Sequence, residues 1–199
     1  MQIVRLPRSK RVDWALALDR PTLDEPVLRV DSIMSKDVVS CQLSDSLSAA
    51  AQIMWEKDCG CVPVVDSDGR VVSMVTDRDV CMAAYTQGKQ LYDIRVADTC
   101  SRELYTCQSD EPVADAVNTM AIAQVRRLPV VDADNRLVGV LALSDLIRHA
   151  WTDRLRGHHE DPHLAVLLES VSRPRAQTSD ALQPLSEAER ERLAEFDAR

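Results

Sequence analysis

The sequence predicts an α+β chain in which one β-α-β-β-α unit occurs twice and the two copies pack together as one module. Three observations predict it: a gapless internal repeat, apolar residues at helical spacing at the same place in both copies, and paired valine-rich runs on either side of a turn signal. A fixed shift carries Val30 onto Val96 and Ala84 onto Ala150 without an insertion. It sets Ser35 on Ser101, Cys41 on Cys107, Met54 on Met120, Pro63 on Pro129, Asp66 on Asp132, Arg70 on Arg136 and Asp79 on Asp145. Self-similarity at a fixed period means one supersecondary unit built twice.

Each unit opens with a short β-rich run, DVVSC at 37–41 and ELYTC at 103–107, followed by polar turn residues. Next, Leu47, Ala50, Ala51 and Met54 recur at helical spacing, as do Val113, Ala116, Val117 and Met120. Ser44 is placed to cap the first of these helices, and Pro112 suits the first turn of the second. CVPVVD and VVSMVT then flank Ser67, Asp68 and Gly69, and RLPVVD and LVGVLA flank Ala133, Asp134 and Asn135, both in the sense of a hairpin. A closing helix starts near Asp77 in one copy and near Ser144 in the other, each able to cap it. The central strands, nearly all Val, Leu and Met, are expected to be buried on both faces. Three strands and two helices leave one sheet face needing cover, so the copies are expected to pack against each other.

The boundaries that follow are an arm at 1–26, a first repeat at 27–88, a second at 89–151 and a polar, partly helical tail at 152–199. The arm has no sustained period and contains Pro7, Pro21 and Pro26, so it is expected to be flexible or loosely docked. In the tail, DPHLAVLLESV suits a short amphipathic helix. SEAERERLAEFDAR suits a charged one with Ser186 and Glu189 as a capping box, and its thin apolar content, Leu193 and Phe196, points to a solvated segment.

Composition narrows the function. Apolar residues are 45 % of the chain but aromatics only 4 %, so the core must be aliphatic. A formal charge of −8 argues against general duplex-DNA binding, which needs clustered Lys and Arg. The basic first residues lack the apolar core and cleavage site of a secretion signal, and no run approaches a membrane span. The reading is a soluble, cytoplasmic protein. Its six cysteines are then read as free thiols serving as small apolar core residues. Cys59 and Cys61 stand too close for a local zinc site, and His158, His159 and His163 do not complete a ligand set. No Ser-His-Asp set, P-loop or dinucleotide fingerprint is visible, so neither catalysis nor a metal is expected.

The chemistry gathers where each hairpin ends. The first copy reads SMVTDRD from Ser73 to Asp79 and the second GVLALSD from Gly139 to Asp145. A carboxylate accepts hydrogen bonds from both hydroxyls of a ribose, a hydroxyl and backbone N–H groups at a helix start hold phosphate, and a guanidinium adds a charge-assisted pair. Without any ligand, Asp79 and Asp145 also suit the first turn of a helix, where the dipole favours a carboxylate.

On PVVD, the hairpin and the apolar strand ending VTDRD, the unit resembles the CBS domain, named after cystathionine β-synthase. Two in tandem resemble a CBS pair, or Bateman module, over roughly residues 27–150. The resemblance implies pseudo-twofold packing and two clefts that in many members bind adenosine nucleotides or related ligands. The family's ribose and phosphate motif is Gly, two apolar residues, Thr or Ser, two variable residues and Asp. Here Ser73 stands in place of the Gly of one copy and Ala142 in place of the Thr of the other. By similarity, the base lies against the opening strand of the opposite repeat, and basic residues before that repeat's PVVD reach the phosphates. The first cleft then combines Thr76, Arg78 and Asp79 with Leu104 and Tyr105 near the base and Arg126 or Arg127 at the phosphates. The second combines Ser144 and Asp145 with Val38 and Val39, and is weaker because Gly60, Cys61 and Val62 supply no charge.

The function so implied is regulatory sensing of AMP, ADP, ATP or another adenosyl compound, with no required cofactor. The resemblance also implies a homodimer, for which residues 80–88 offer an exposed apolar helix. Two readings from other classes stay open: a structural, dimerisation or partner-binding module acting through residues 152–199, and a thiol-based redox switch using Cys59 and Cys61.

Overall fold

Short capped helices and valine-rich hairpins build two matching halves. The computed structural model describes residues 2–3, 27–100, 103–155, 167–168 and 172. The first half runs β2 (Cys41–Gln42), α1 (Leu47–Glu56), β3 (Cys61–Val65), β4 (Val71–Thr76) and α2 (Asp77–Gln87). The second runs β5 (Glu103–Leu104), β6 (Cys107–Gln108), α3 (Val113–Ala123), β7 (Arg127–Val131), β8 (Leu137–Ala142) and α4 (Leu143–Leu155). A first strand, β1 (Gln2–Ile3), runs parallel to β5. The arm is therefore docked at Gln2 and Ile3, and residues 4–26 lie outside the described residues.

Each half forms a three-stranded sheet, β2-β3-β4 or β6-β7-β8, with the first pair parallel and the second antiparallel. The opening strands are shorter than the β-rich runs suggest. The Val38 N–H turns back to the Lys36 carbonyl (3.1 Å), which takes it out of any ladder. Pairing with β3 is left to Cys41 and Gln42. The run at 103–107 divides between β5 and β6. Burial on both faces holds for β3, where Cys61, Val62, Pro63 and Val64 are all buried, but β4 alternates with Val71, Ser73 and Val75 inward. As the edge strand of the sheet, β4 has one face fully covered and the other only partly.

The cap of α1 is Ser46, whose hydroxyl accepts from the Ala49 N–H (3.3 Å). It is not Ser44, because the turn before it is already fixed by the Asp45 carboxylate, which accepts from the Gln42 N–H (2.7 Å). Leu47, Ala50 and Met54 are buried along one stripe of α1, as are Val113, Ala116, Val117 and Met120 on α3. Both hairpins close with the same Asx geometry. Asp66 Oδ1 accepts from the Asp68 and Arg70 N–H groups, and Asp132 Oδ1 from those of Asp134 and Arg136, all at 2.9 Å. Gly69 (φ 78°) and Asn135 (φ 63°) take the left-handed conformation that such turns need.

The halves exchange their leading segments. Val30, ahead of the first repeat, is fully buried in the core of the second, its N–H donating to the Glu111 carbonyl (3.1 Å). Ile94 and Val96, ahead of the second repeat, are buried in the core of the first. There the Ile94 carbonyl accepts from Leu47 N–H (2.8 Å) and the Val96 N–H donates to the Asp45 carbonyl (2.8 Å). The hairpins meet as well: Val71 N–H donates to the Asn135 carbonyl (3.0 Å) and Leu137 N–H to that of Gly69 (3.1 Å). Val71, Leu104 and Val131 fill the space between the sheets. The result is the pseudo-twofold packing of two β-α-β-β-α repeats.

Two features break the symmetry. Leu167, from the stretch read as a short amphipathic helix in the polar tail, is fully buried in the core of the second repeat alongside residues of α3. Of the six cysteines, Cys41, Cys61 and Cys107 are buried as expected but Cys81 is exposed, since α2 turns it away from the sheet. Among the described residues no helix is long and apolar enough to cross a membrane.

Candidate functional site

The strand β4 ends at Thr76, and its extended backbone (φ −117°, ψ 163°) makes it the N-cap of α2. Thr76 Oγ1 accepts from the Asp79 N–H (3.3 Å). Asp79 Oδ2 in turn accepts from the Thr76 N–H (2.9 Å) and hydroxyl (2.7 Å). Thr76 and Asp79 thus hold each other in a closed capping box, the geometry that a Thr three residues before an acid favours. The other carboxylate oxygen of Asp79 has no partner among the described residues, and the side chain is half-buried.

The start of α2 is less open to an anion than the sequence suggests. Asp77 N–H donates to the Gly60 carbonyl (3.3 Å) and Arg78 N–H to Asp77 Oδ1 (2.7 Å), while Asp79 N–H is held by Thr76. These backbone donors are spent inside the protein. Charge arrives instead from the other repeat. Arg127, the first residue of β7, brings its Nη2 to 3.5 Å from the point that a Cβ on Gly60 would occupy, and Asp77 Oδ2 lies 3.0 Å from that point. Only a residue without a side chain leaves this space open. Among the described residues the Arg127 guanidinium has no hydrogen-bond or ion-pair partner, while Arg78 and Arg126 are exposed.

Leu104 and Tyr105, adjacent in the chain, pack in different places. Leu104 is buried between Val71 and Val131. Tyr105 packs against the second core and donates its hydroxyl to Glu103 Oε2 (3.1 Å). Burial and that hydrogen bond raise the Tyr105 pKa.

The equivalent place in the second repeat is closed. Asp145 is 6 % exposed, its Oδ2 accepts from the Ala142 N–H (2.9 Å) and its Oδ1 is 3.5 Å from Arg148 Nη1. Ala142 has no hydroxyl to complete the box. Ser144 and Val39 are exposed and Val38 is half-buried. The counterpart of Arg127 is Cys61, whose thiol burial pushes up to about 11. Gly139 cannot carry a side chain, because a Cβ there would stand 2.7 Å from Met34 Sδ and 2.8 Å from the Ser35 carbonyl oxygen. The segment at 34–35 thus lies directly over β8.

Sequence reasoning passed over Asp77 and Gly60 as parts of the first cleft. The signal was present in the repeat itself, which sets Asp77 against Leu143 and Gly60 against Arg126. Among the described residues no group of three His, Cys, Asp or Glu side chains gathers for a metal, and His158, His159 and His163 lie outside them.

The CBS domain model matches residues 30–85 and again 96–151, more than half of the chain. The chain is similar to hypoxic response protein 1 of Mycobacterium tuberculosis, 32 % identical over 117 residues that span 59 % of this chain and 81 % of the relative. A crystal structure of hypoxic response protein I, described with two coordinated zinc ions, superposes with a TM-score of 0.57 at 30 % identity, covering 61 % of this chain and 98 % of that one. A CBS domain pair in complex with 5′-methylthioadenosine and S-adenosyl-L-methionine gives a TM-score of 0.59 at 26 % identity, over 64 % of this chain and 99 % of the other. CBSX2 in complex with AMP gives 0.56 at 26 % identity, over 63 % and 98 %.

Proposed function

This chain belongs to the CBS domain family and carries the domain in tandem, and from that premise we propose that it is a regulatory ligand sensor that binds an adenine nucleotide or related adenosyl compound in its first cleft. The observation that carries the reading is that the Arg127 guanidinium of one repeat, without a hydrogen-bond or ion-pair partner among the described residues, reaches over Gly60 to the start of α2 in the other, where Thr76 and Asp79 form their box. The open oxygen of Asp79 accepts from ribose hydroxyls, and Arg127, with Arg126 next to it and Arg78 next to Asp79 in the sequence, supplies the charge for a phosphate. Tyr105 and the backbone around Leu104 receive the base. AMP in one related pair and two adenosyl compounds in another support this ligand class. The second cleft is the weaker site, its Asp145 already engaged on both oxygens.

Signalling follows from where the ligand sits. A ligand held by both repeats shifts the module by the difference in its affinity for two arrangements of them. The exchanged leading segments carry such a shift from either repeat to the other. Met82 and Tyr85, 36 % and 49 % exposed on α2, form the face proposed for a homodimer.

Calorimetric titration with AMP, ADP, ATP and S-adenosylmethionine tests the reading. At least one is expected to bind saturably, and Asp79→Ala is expected to weaken it by about tenfold or more, since a charged acceptor is lost. The variant also loses a helix cap, which costs about 1 kcal/mol of stability, so its melting temperature is measured alongside. Flat titrations with all four ligands would overturn the sensor reading in favour of a structural dimerisation module.

A further inference from the structure

We infer that Asp77 is the specificity-determining residue of the first cleft, favouring adenosyl ligands with no more than one phosphate over ADP and ATP. This rests on the ligand-sensing reading above and names the ligand class within it. Two properties of Asp77 carry it. Its Oδ1 accepts from the Arg78 N–H (2.7 Å), so a carboxylate already occupies the place at the start of α2 that a phosphate oxygen would take. Its Oδ2 and the Arg127 guanidinium flank the same open space over Gly60, at 3.0 and 3.5 Å from a common point, without an ion pair between them.

A ligand group resting over Gly60 therefore meets a cation on one side and an anion on the other. One phosphate is held by Arg127 and tolerates the single opposing charge. Each further phosphate adds negative charge that must lie near Asp77 or leave the cleft, and the first-turn amides that would offset it are engaged. A sulfonium or ammonium group, by contrast, is attracted to Asp77. Both side chains are exposed, so the discrimination is screened by salt and is largest at low ionic strength.

The test is to titrate AMP and ATP into the wild-type protein, Asp77→Asn and Asp77→Ser at low and at moderate salt. Serine keeps an acceptor for the Arg78 N–H without charge, so agreement between the two variants separates charge from local geometry. Wild type is expected to bind AMP about tenfold more tightly than ATP, and both variants to narrow that ratio by about fivefold, chiefly by strengthening ATP, with less narrowing at higher salt. Wild type that binds with ATP as tight as AMP, or variants that bind with the ratio unchanged, would overturn the role of Asp77 and leave the sensor reading standing. Absence of both AMP and ATP binding by wild type would overturn the role of Asp77, and only flat titrations with ADP and S-adenosylmethionine as well would remove the sensor reading with it.

Discussion

Cys41 and Cys107 belong to the two cores and Cys61 is buried on β3, and burial controls the chemistry of all three. The Cys41 thiol is pushed up to about 11 by burial and then by the nearby Asp45 charge. Cys61 reaches about 11 from burial in spite of the Arg127 charge beside it, and Cys107 is raised further by burial. A thiol is the weak form of the nucleophile, so these three are expected to resist alkylation in the folded protein while exposed Cys81 reacts first. Mass spectrometry of peptides after brief iodoacetamide treatment at neutral pH checks this, and early labelling of Cys107 would contradict it. The same shifts predict a pH effect. Because the folded pKa lies above the unfolded value of 9.0, the unfolded chain loses these protons first, and stability falls as pH rises from 9 to about 11.

At the scale of elements, α1 and α3 show how equivalent pieces acquire different surroundings. Trp55, late in α1, is 89 % exposed, and Gln52 is exposed too. Asn118, the residue of α3 equivalent to Gln52, is buried, and its Oδ1 has no partner among the described residues. Leu167 belongs only to the core around α3. Leu167→Ala is expected to destabilise the fold by about 2–5 kcal/mol, as for other buried leucines, seen as a lower urea midpoint with an unchanged slope. An unaltered midpoint would show that the segment contributes nothing to the core.

Across the whole molecule, the exchanged leaders make the two repeats one cooperative unit. Residues 27–88 alone lack Ile94 and Val96, both buried in the core that those residues otherwise build. Residues 89–155 alone lack Val30 and its hydrogen bonds to the second half. Each fragment is therefore expected to be disordered by itself, and an equimolar mixture to recover dispersed amide resonances. Folding of either fragment by itself would mean that the exchange is incidental to stability.

The sequence by itself determined the repeat, the order of its elements and the stripe of Leu47, Ala50 and Met54. Each depends on spacing of at most a few residues or on comparison of one copy with the other, and periodicity encodes both. Tertiary structure decided which repeat each leader joins, because Val30 and Val96 look identical in the shifted alignment and only packing assigns them to opposite cores. It decided that Leu167 joins the core of the second repeat, since an amphipathic stretch marks a face to be covered without saying what covers it. It also decided that Arg127 and Asp77 face each other over Gly60, a contact between residues far apart in the chain that depends on how the two sheets meet.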